Sequence, residues 1–255
     1  MNFLTTVCTD IGTVKQTNQD SMCIKTAKCD MGNILMAVLC DGMGGLSKGE
    51  LASATVVRAF SAWFDQCLPS LLSSFSSDVI CSDWNRLIQD VNVKIQDYGR
   101  RSNTPLGTTL TAVLIIDSTC LIIGHVGDCR LYQINEGIHI LTEDQSVVMR
   151  DVRRGIISEE QARTDPRKNV LLQCIGASVT LIPEFAACVP DAGCVYALCS
   201  DGFRHVISSQ EIFSSLHPDL LISEEVMREK SEYLIALNKE RMERDNISVI
   251  LIRTY

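Results

Sequence analysis

The chain predicts an α+β fold in which two antiparallel β-sheets are covered by layers of helix. Three observations carry that expectation: many short apolar runs of strand length, tight turns between several consecutive runs, and amphipathic helical stretches after the third run and again late in the chain. Tight turns imply antiparallel neighbours, because parallel strands need a long crossover connection.

Taken in order, the strand-like runs fall at 4–8, 22–26, 34–40, 108–116, 121–126, 130–134, 138–141, 181–189, 195–199 and 247–252. Asp117-Ser118 joins two of them as a hairpin, and Asn135-Glu136-Gly137 turns another pair. A helix is expected over 48–72, where Ala52, Val56, Ala59, Phe60, Trp63 and Phe64 share a face, and a second over 80–98, where Trp84, Leu87, Ile88, Val91 and Ile95 do the same. Ser208 with Glu211 forms a capping box before a short helix, and a last helix covers 224–241. The aromatic stripes on these helices are core, not a cofactor box. Between the strands, 144–177 is basic and partly helical, with Arg150, Arg153, Arg154, Arg163, Arg167 and Lys168 and a capping box at Ser158 and Gln161. It reads as a surface excursion, either a solvated insertion or a substrate-facing flap. No linker or repeat divides the chain, so one domain over 1–255 is expected, with a flap subdomain at about 144–177.

Of 255 residues, 46% are hydrophobic, ample for a core, and 31 acidic against 23 basic residues give a formal charge of −8. That balance argues against nucleic acid or an anionic membrane as the main partner. The longest apolar runs are far too short to span a bilayer, and residues 1–4 lack the basic and apolar blocks of a signal peptide, so a cytoplasmic location is expected. The twelve cysteines contain no Cys-x-x-Cys pair, many lie inside apolar runs, and the four histidines are scattered. The cysteines read as small buried hydrophobes in a reducing compartment. His125 reads as a strand residue satisfied by backbone, without a catalytic role.

Five aspartates stand where apolar runs begin or stop: Asp20, Asp41, Asp128, Asp201 and Asp245. Their contexts are Asn18-Gln19-Asp20, Leu39-Cys40-Asp41-Gly42-Met43-Gly44-Gly45, Val126-Gly127-Asp128, Cys199-Ser200-Asp201-Gly202 and Arg244-Asp245-Asn246. One aspartate after a strand is ordinarily a turn former. Five with the same grammar are hard to explain as turns alone. Carboxylates gathered at one rim of a sheet would supply the oxygen ligands that hard divalent cations need, and without thiolate or imidazole in the set Mg²⁺ or Mn²⁺ is expected over zinc. Two such ions about 3.5–4 Å apart, sharing a carboxylate, suit in-line attack of an activated water on a phosphoryl group. No P-loop is present.

The ordered set Gly12-x-x-Lys15-x-x-Asn18-Gln19-Asp20, Asp41-Gly42-Met43-Gly44-Gly45, Gly107-Thr108-Thr109, Gly124-His125-Val126-Gly127-Asp128, Ser200-Asp201-Gly202 and Asp245-Asn246 resembles the metal-dependent serine/threonine phosphatases of the 2C type, over residues 10–250. Asp144-Gln145-Ser146 and the stretch from Gly155 to Leu171 look like that family's flap, and the Met43 form of the glycine-rich turn looks like its bacterial branch. The resemblance implies a four-layer αββα sandwich with a centre of two Mn²⁺ or Mg²⁺ ions at one end. By it, Asp41 would bridge both ions, the Gly42 carbonyl would ligate one, Asp201 and Asp245 would complete the other, and Asp20 would act directly or through water. Asp128 matches the position of a weaker third ion. Catalysis is thereby carried by Asp20, Asp41, Asp201 and Asp245.

Three departures accompany the match. Lys15 stands where the family usually has a phosphate-binding arginine. Gln145 and Asp165 replace histidines common in the flap. Met43 occupies the place of a histidine proposed as general acid in eukaryotic members, which leaves protonation of the leaving group to metal-bound water. The implied activity is hydrolysis of phosphoserine and phosphothreonine in phosphoproteins by a cytoplasmic monomer opposing a cognate Ser/Thr kinase, with neither nucleic acid nor membrane as partner. The alternative is a non-catalytic pseudophosphatase that binds phosphoprotein or another partner through the same fold, a reading that lost metal ligands would favour.

Overall fold

The computed structural model describes residues 1–43 and 48–255. Gly44 and Gly45 of the glycine-rich turn lie outside the described residues. Among the described residues ten strands run in chain order as β1 (Phe3–Asp10), β2 (Ser21–Cys29), β3 (Gly32–Cys40), β4 (Leu110–Ile116), β5 (Cys120–Val126), β6 (Arg130–Ile134), β7 (Ile138–Ile140), β8 (Glu184–Cys188), β9 (Val195–Cys199) and β10 (Ile247–Thr254). They form two five-stranded sheets of order β1-β10-β9-β6-β7 and β2-β3-β4-β5-β8, with every neighbouring pair antiparallel. The helices are α1 (Gly49–Gln66), α2 (Leu68–Leu72), α3 (Ser77–Ser102), α4 (Val147–Arg153), α5 (Glu159–Thr164), α6 (Asp201–Arg204), α7 (Ser209–Leu216) and α8 (Glu224–Glu240).

Side-chain parity explains the continuous apolar runs. In β3, Ile34, Met36, Val38 and Cys40 pack toward α1 and α3, whereas Leu35, Ala37 and Leu39 pack between the sheets. A strand buried on both faces has no polar alternation to show. In β10, Val249 and Leu251 face the layer of α7 and α8, and Ile250 and Ile252 face the other sheet. The result is the expected αββα sandwich. Trp84 of α3 is fully buried, with Phe60 and Trp63 edge-on at 5.3 and 5.5 Å, each such pair worth about 0.5–1.5 kcal/mol beyond burial alone.

Some boundaries differ from the expectation, each for a physical reason. The helix expected over 48–72 is two helices, interrupted at Cys67 and restarted with Pro69 in the first turn of α2, where its missing N–H costs nothing. The strand expected over 181–189 contracts to β8, between Pro183 and Pro190. Both capping boxes form with reciprocal bonds, Ser158 with Gln161 and Ser208 with Glu211. Ser146 caps the unanticipated α4 by accepting from the Met149 N–H. Among the described residues no helix is long and apolar enough to cross a membrane.

Candidate metal centre

Strand register brings the five aspartates to one rim. Ser21 pairs with Cys40, so Asp20 and Asp41 each stand one residue beyond the β2–β3 ladder. Cys199 pairs with both Arg130 and Val249, which aligns the end of β9, where Asp201 follows, with the starts of β6 and β10. Leu110 opposite Val126 places the turn carrying Asp128 at the same end. The rim thus collects loops from both sheets.

Backbone and neutral side chains fix these loops. The Asp41 N–H donates to Thr109 Oγ1 at 2.9 Å, and the Asp41 carbonyl accepts from the Thr109 N–H at 2.9 Å and Thr108 Oγ1 at 2.8 Å. Next to it, a Cβ on Gly42 would lie 2.5 Å from both the Gln19 carbonyl and the Gly49 backbone, so only glycine allows this approach. Asn246 ties the loops together: its Oδ1 accepts from the Gln19 N–H at 2.9 Å, and its Nδ2 donates to the Ile11 and Thr17 carbonyls. Gly12, at φ +80°, sits where a Cβ would strike the Asp245 carbonyl.

The electrostatics are those of a carboxylate cluster whose close counter-charge is Lys15 at Asp245. Burial, and then the carboxylates of Asp20, Asp201, Asp128 and Asp245, push Asp41 well above the usual carboxylate range. Burial first, with Asp201 next among the neighbouring carboxylates, pushes Asp20 and Asp128 up to about 7. Both carboxylate oxygens of Asp20 and Oδ1 of Asp201 are buried without a hydrogen-bond partner. The Ser200 and Ser248 hydroxyls lie near enough to Asp20 to temper its shift, but Ser248 is bonded to Thr9 Oγ1 at 2.8 Å and Ser200 accepts from the Ser248 N–H. Orphaned buried oxygens are costly unless something binds them. An all-oxygen donor set with that deficit fits hard divalent cations. Among the described residues no three acidic, imidazole or thiol groups converge as a finished cage; instead Lys15 Nζ sits 2.8 Å from Asp245 Oδ1.

Around this rim stand residues that the sequence did not single out. His205 lies 3.3 Å from Asp201 Oδ2 and 3.5 Å from Glu243 Oε2, while Glu243 Oε1 accepts from the N–H groups of Arg244 and Asp245. Arg204 donates to the Asp128 carbonyl at 2.9 Å and to Asp144 at 3.2 Å, and Arg130 grips both oxygens of Asp144 at 2.8 Å. Burial works against the Asp144 charge, but these two guanidiniums hold its carboxyl below its ordinary value. His125 is satisfied on both nitrogens, by Thr111 Oγ1 and by the Gly127 and Glu143 carbonyls, and burial drops it to about 4. Gln145 accepts from the Gly127 N–H and from Gln173, Asp165 pairs with Arg167, and the Met43 N–H donates to Gly107. Gln145 and Asp165 thus do structural work within 144–177.

Comparison with known proteins shows the family. Residues 12–240 match the protein phosphatase 2C family. A putative protein phosphatase 2C-type of Streptococcus pyogenes is 32% identical over 249 residues, spanning 96% of this chain and 94% of that protein. The serine/threonine phosphatase of S. agalactiae superposes with a TM-score of 0.84 at 31% identity over 100% of both chains. The catalytic domain of the phosphatase PstP, solved with two manganese ions, superposes at 0.78 with 26% identity over 98% and 97% of the two chains.

Proposed function

Because this chain belongs to the protein phosphatase 2C family, we infer that it is a metal-dependent protein serine/threonine phosphatase, with Asp20, Asp41, Asp201 and Asp245 as the residues that hold its ions. The observation that carries the assignment is the set of buried, unpartnered carboxylate oxygens at the rim. When bound, two Mn²⁺ or Mg²⁺ ions supply a water made nucleophilic at neutral pH and positive charge against the phosphoryl oxygens. Asp41, whose carboxylate feels all four other aspartates, would be shared between the ions in this reading, and the Gly42 carbonyl would serve one of them. Asp128, whose loop is braced by Arg204, serves a weaker third site. Lys15 draws the phosphate toward the rim. Met43 carries no proton for a leaving group. Lost carboxylates would favour the non-catalytic alternative, and this chain retains all five.

Its substrates are phosphoproteins. We read residues 1–255 as one domain in which 144–177 acts as a flap, and the protein as a cytoplasmic monomer opposing a Ser/Thr kinase. Twelve free thiols suit a reducing compartment. Hydrolysis of a phosphothreonine peptide, compared side by side with Mn²⁺, with Mg²⁺ and with chelator, tests the reading. Turnover is expected with either metal and none with chelator. Turnover that survives chelation would overturn it.

A further inference from the structure

A cavity of about 680 Å³ opens beside the rim, between segment 144–177 and the α6–α7 region. Asp128 and Arg204 line its inner end, Arg163 and Lys168 one wall, Ile207 and Ile212 the other. In its floor, Asp144 is neutralised by Arg130 at 2.8 Å and Arg204 at 3.2 Å. Within 144–177, Arg150, Arg153 and Arg167 each pair with a carboxylate, whereas among the described residues Arg163 and Lys168 form no such pair. Glu159, one turn before Arg163 on α5, is the remaining carboxylate at the cavity wall. The excess of cation here is local. Residues 144–177 carry six basic and five acidic side chains, against 23 and 31 in the whole chain.

An extended peptide advances about 3.3 Å per residue, so a chain whose phosphorylated residue sits at the rim would lay its immediate neighbours along this cavity. We propose that the cavity binds the residues flanking the phosphorylated one and selects anionic side chains there, through Arg163 and Lys168 at its wall. This rests on the phosphatase reading and names the substrate class that the same site prefers. The anion can be a carboxylate or a second phosphate, and the substrates of the test separate the two.

The test uses the Mn²⁺-loaded protein and four substrates. Three are phosphothreonine peptides that differ only in flanking Asp/Glu, flanking second phosphothreonine or flanking Lys; the fourth is p-nitrophenyl phosphate. Two exposed cations at the cavity wall, each contributing little in water, should raise kcat/KM for the anionic flanks about three- to tenfold over the Lys flank. That ratio should shrink as salt rises. In R163E/K168E it should fall to about one or below, and since both positions are exposed, the single variants Arg163→Gln and Lys168→Gln give intermediate ratios if the double variant folds poorly. The larger of the two anionic ratios identifies carboxylate or phosphate as the preferred flank. Equal kcat/KM for all three peptides in the parent protein, alongside turnover of p-nitrophenyl phosphate, overturns the inference alone. A preference that persists in the charge-reversed protein also overturns it. Failure to hydrolyse p-nitrophenyl phosphate overturns the phosphatase reading beneath it.

Discussion

Asp41 and Asp117 end the adjacent strands β3 and β4, which run antiparallel, so they lie at opposite ends of one ladder. Their surroundings differ completely. Asp117 turns a hairpin at φ 44° and its carboxylate accepts from the Met1 amine, the Ser118 N–H and the Asn33 N–H at 2.8–3.1 Å. The amine, followed by those backbone N–H groups, holds it well below the usual carboxylate range. Asp41 has its backbone bonded on both sides, yet its carboxylate faces four others and is pushed the opposite way. One residue type at a strand end therefore serves two purposes. A saturated carboxylate makes a turn, and one buried among like charges is the kind of group that a bound cation would stabilise.

The sharpest way to break that comparison is to remove each carboxylate. Asp41→Asn keeps the size of the side chain but deletes the charge that paired cations would share. Turnover should fall by several orders of magnitude and Mn²⁺ binding should collapse, while the metal-free protein melts no lower, since one repelling charge has gone. Asp117→Ala should do the reverse. It should bind Mn²⁺ as the parent does and lose about 1 kcal/mol of hydrogen bonding, or about 2–4 °C in Tm for a chain of this size. Calorimetry that finds unchanged Mn²⁺ stoichiometry in Asp41→Asn would sink the distinction.

A pH titration of metal-free stability separates the two ends next. Asp20 and Asp128 have folded values near 7 against an unfolded value of about 3.9. Between those values the folded state holds protons that the unfolded state has released, so stability falls as pH rises from about 4 to 7. Asp117, with its folded value lowered, contributes stability above about pH 4 that is lost as pH drops further. His125 opposes the rim in part, since a folded value near 4 makes stability fall as pH drops from about 6.5 toward 4. The difference between the parent and Asp20→Asn isolates the rim: their Tm gap should widen from pH 4 to 7 and close on adding Mn²⁺ at pH 7.5. A gap constant across pH would show that Asp20 is not strained in the fold.

Within the rim itself the effect should grade. Asp128→Ala should slow turnover with two Mn²⁺ still bound, because the Asp128 loop is braced through its carbonyl by Arg204 rather than through the acid. Asp201→Ala and Asp245→Ala should each lower the stoichiometry. Equal metal content in all three variants would contradict this division.

How much of this was legible in the sequence follows from what periodicity can report. Strands β6 and β9 fall at 130–134 and 195–199 as read from their apolar runs, because turns bound them on both sides. The helix expected over 48–72 is split because Pro69 cannot continue the backbone ladder, a break that the continuous apolar face conceals. The five aspartates were visible by their place at strand ends, but their assembly depends on register, such as Cys199 opposite both Arg130 and Val249, which no local pattern encodes. Arg204 ends the four-residue α6, His205 follows it and Glu243 lies in the connection after α8, segments too short to show a period. Only the fold shows His205 between Asp201 and Glu243.

The smallest expected effect concerns Lys15, which joins the rim from the loop between β1 and β2. Burial works against its charge, but Asp245 at 2.8 Å, then Asp41 and Asp201, more than offset that and hold the amine above its ordinary value. A charged amine there has two roles with opposite signatures. It attracts the phosphate of a substrate, and it competes with a cation for Asp245. Lys15→Ala should therefore raise KM for a phosphopeptide and lower kcat/KM about three- to tenfold, while binding Mn²⁺ more tightly because Asp245 is released. Lys15→Arg restores the charge with a planar fork that can grip two phosphate oxygens at once, so it should match or exceed the parent in kcat/KM if the rim admits the longer side chain. Kinetics and titration calorimetry on the two variants read both signatures. If Lys15→Ala changes neither KM nor Mn²⁺ affinity, Lys15 is a solvated neighbour of Asp245 and another cation meets the phosphate.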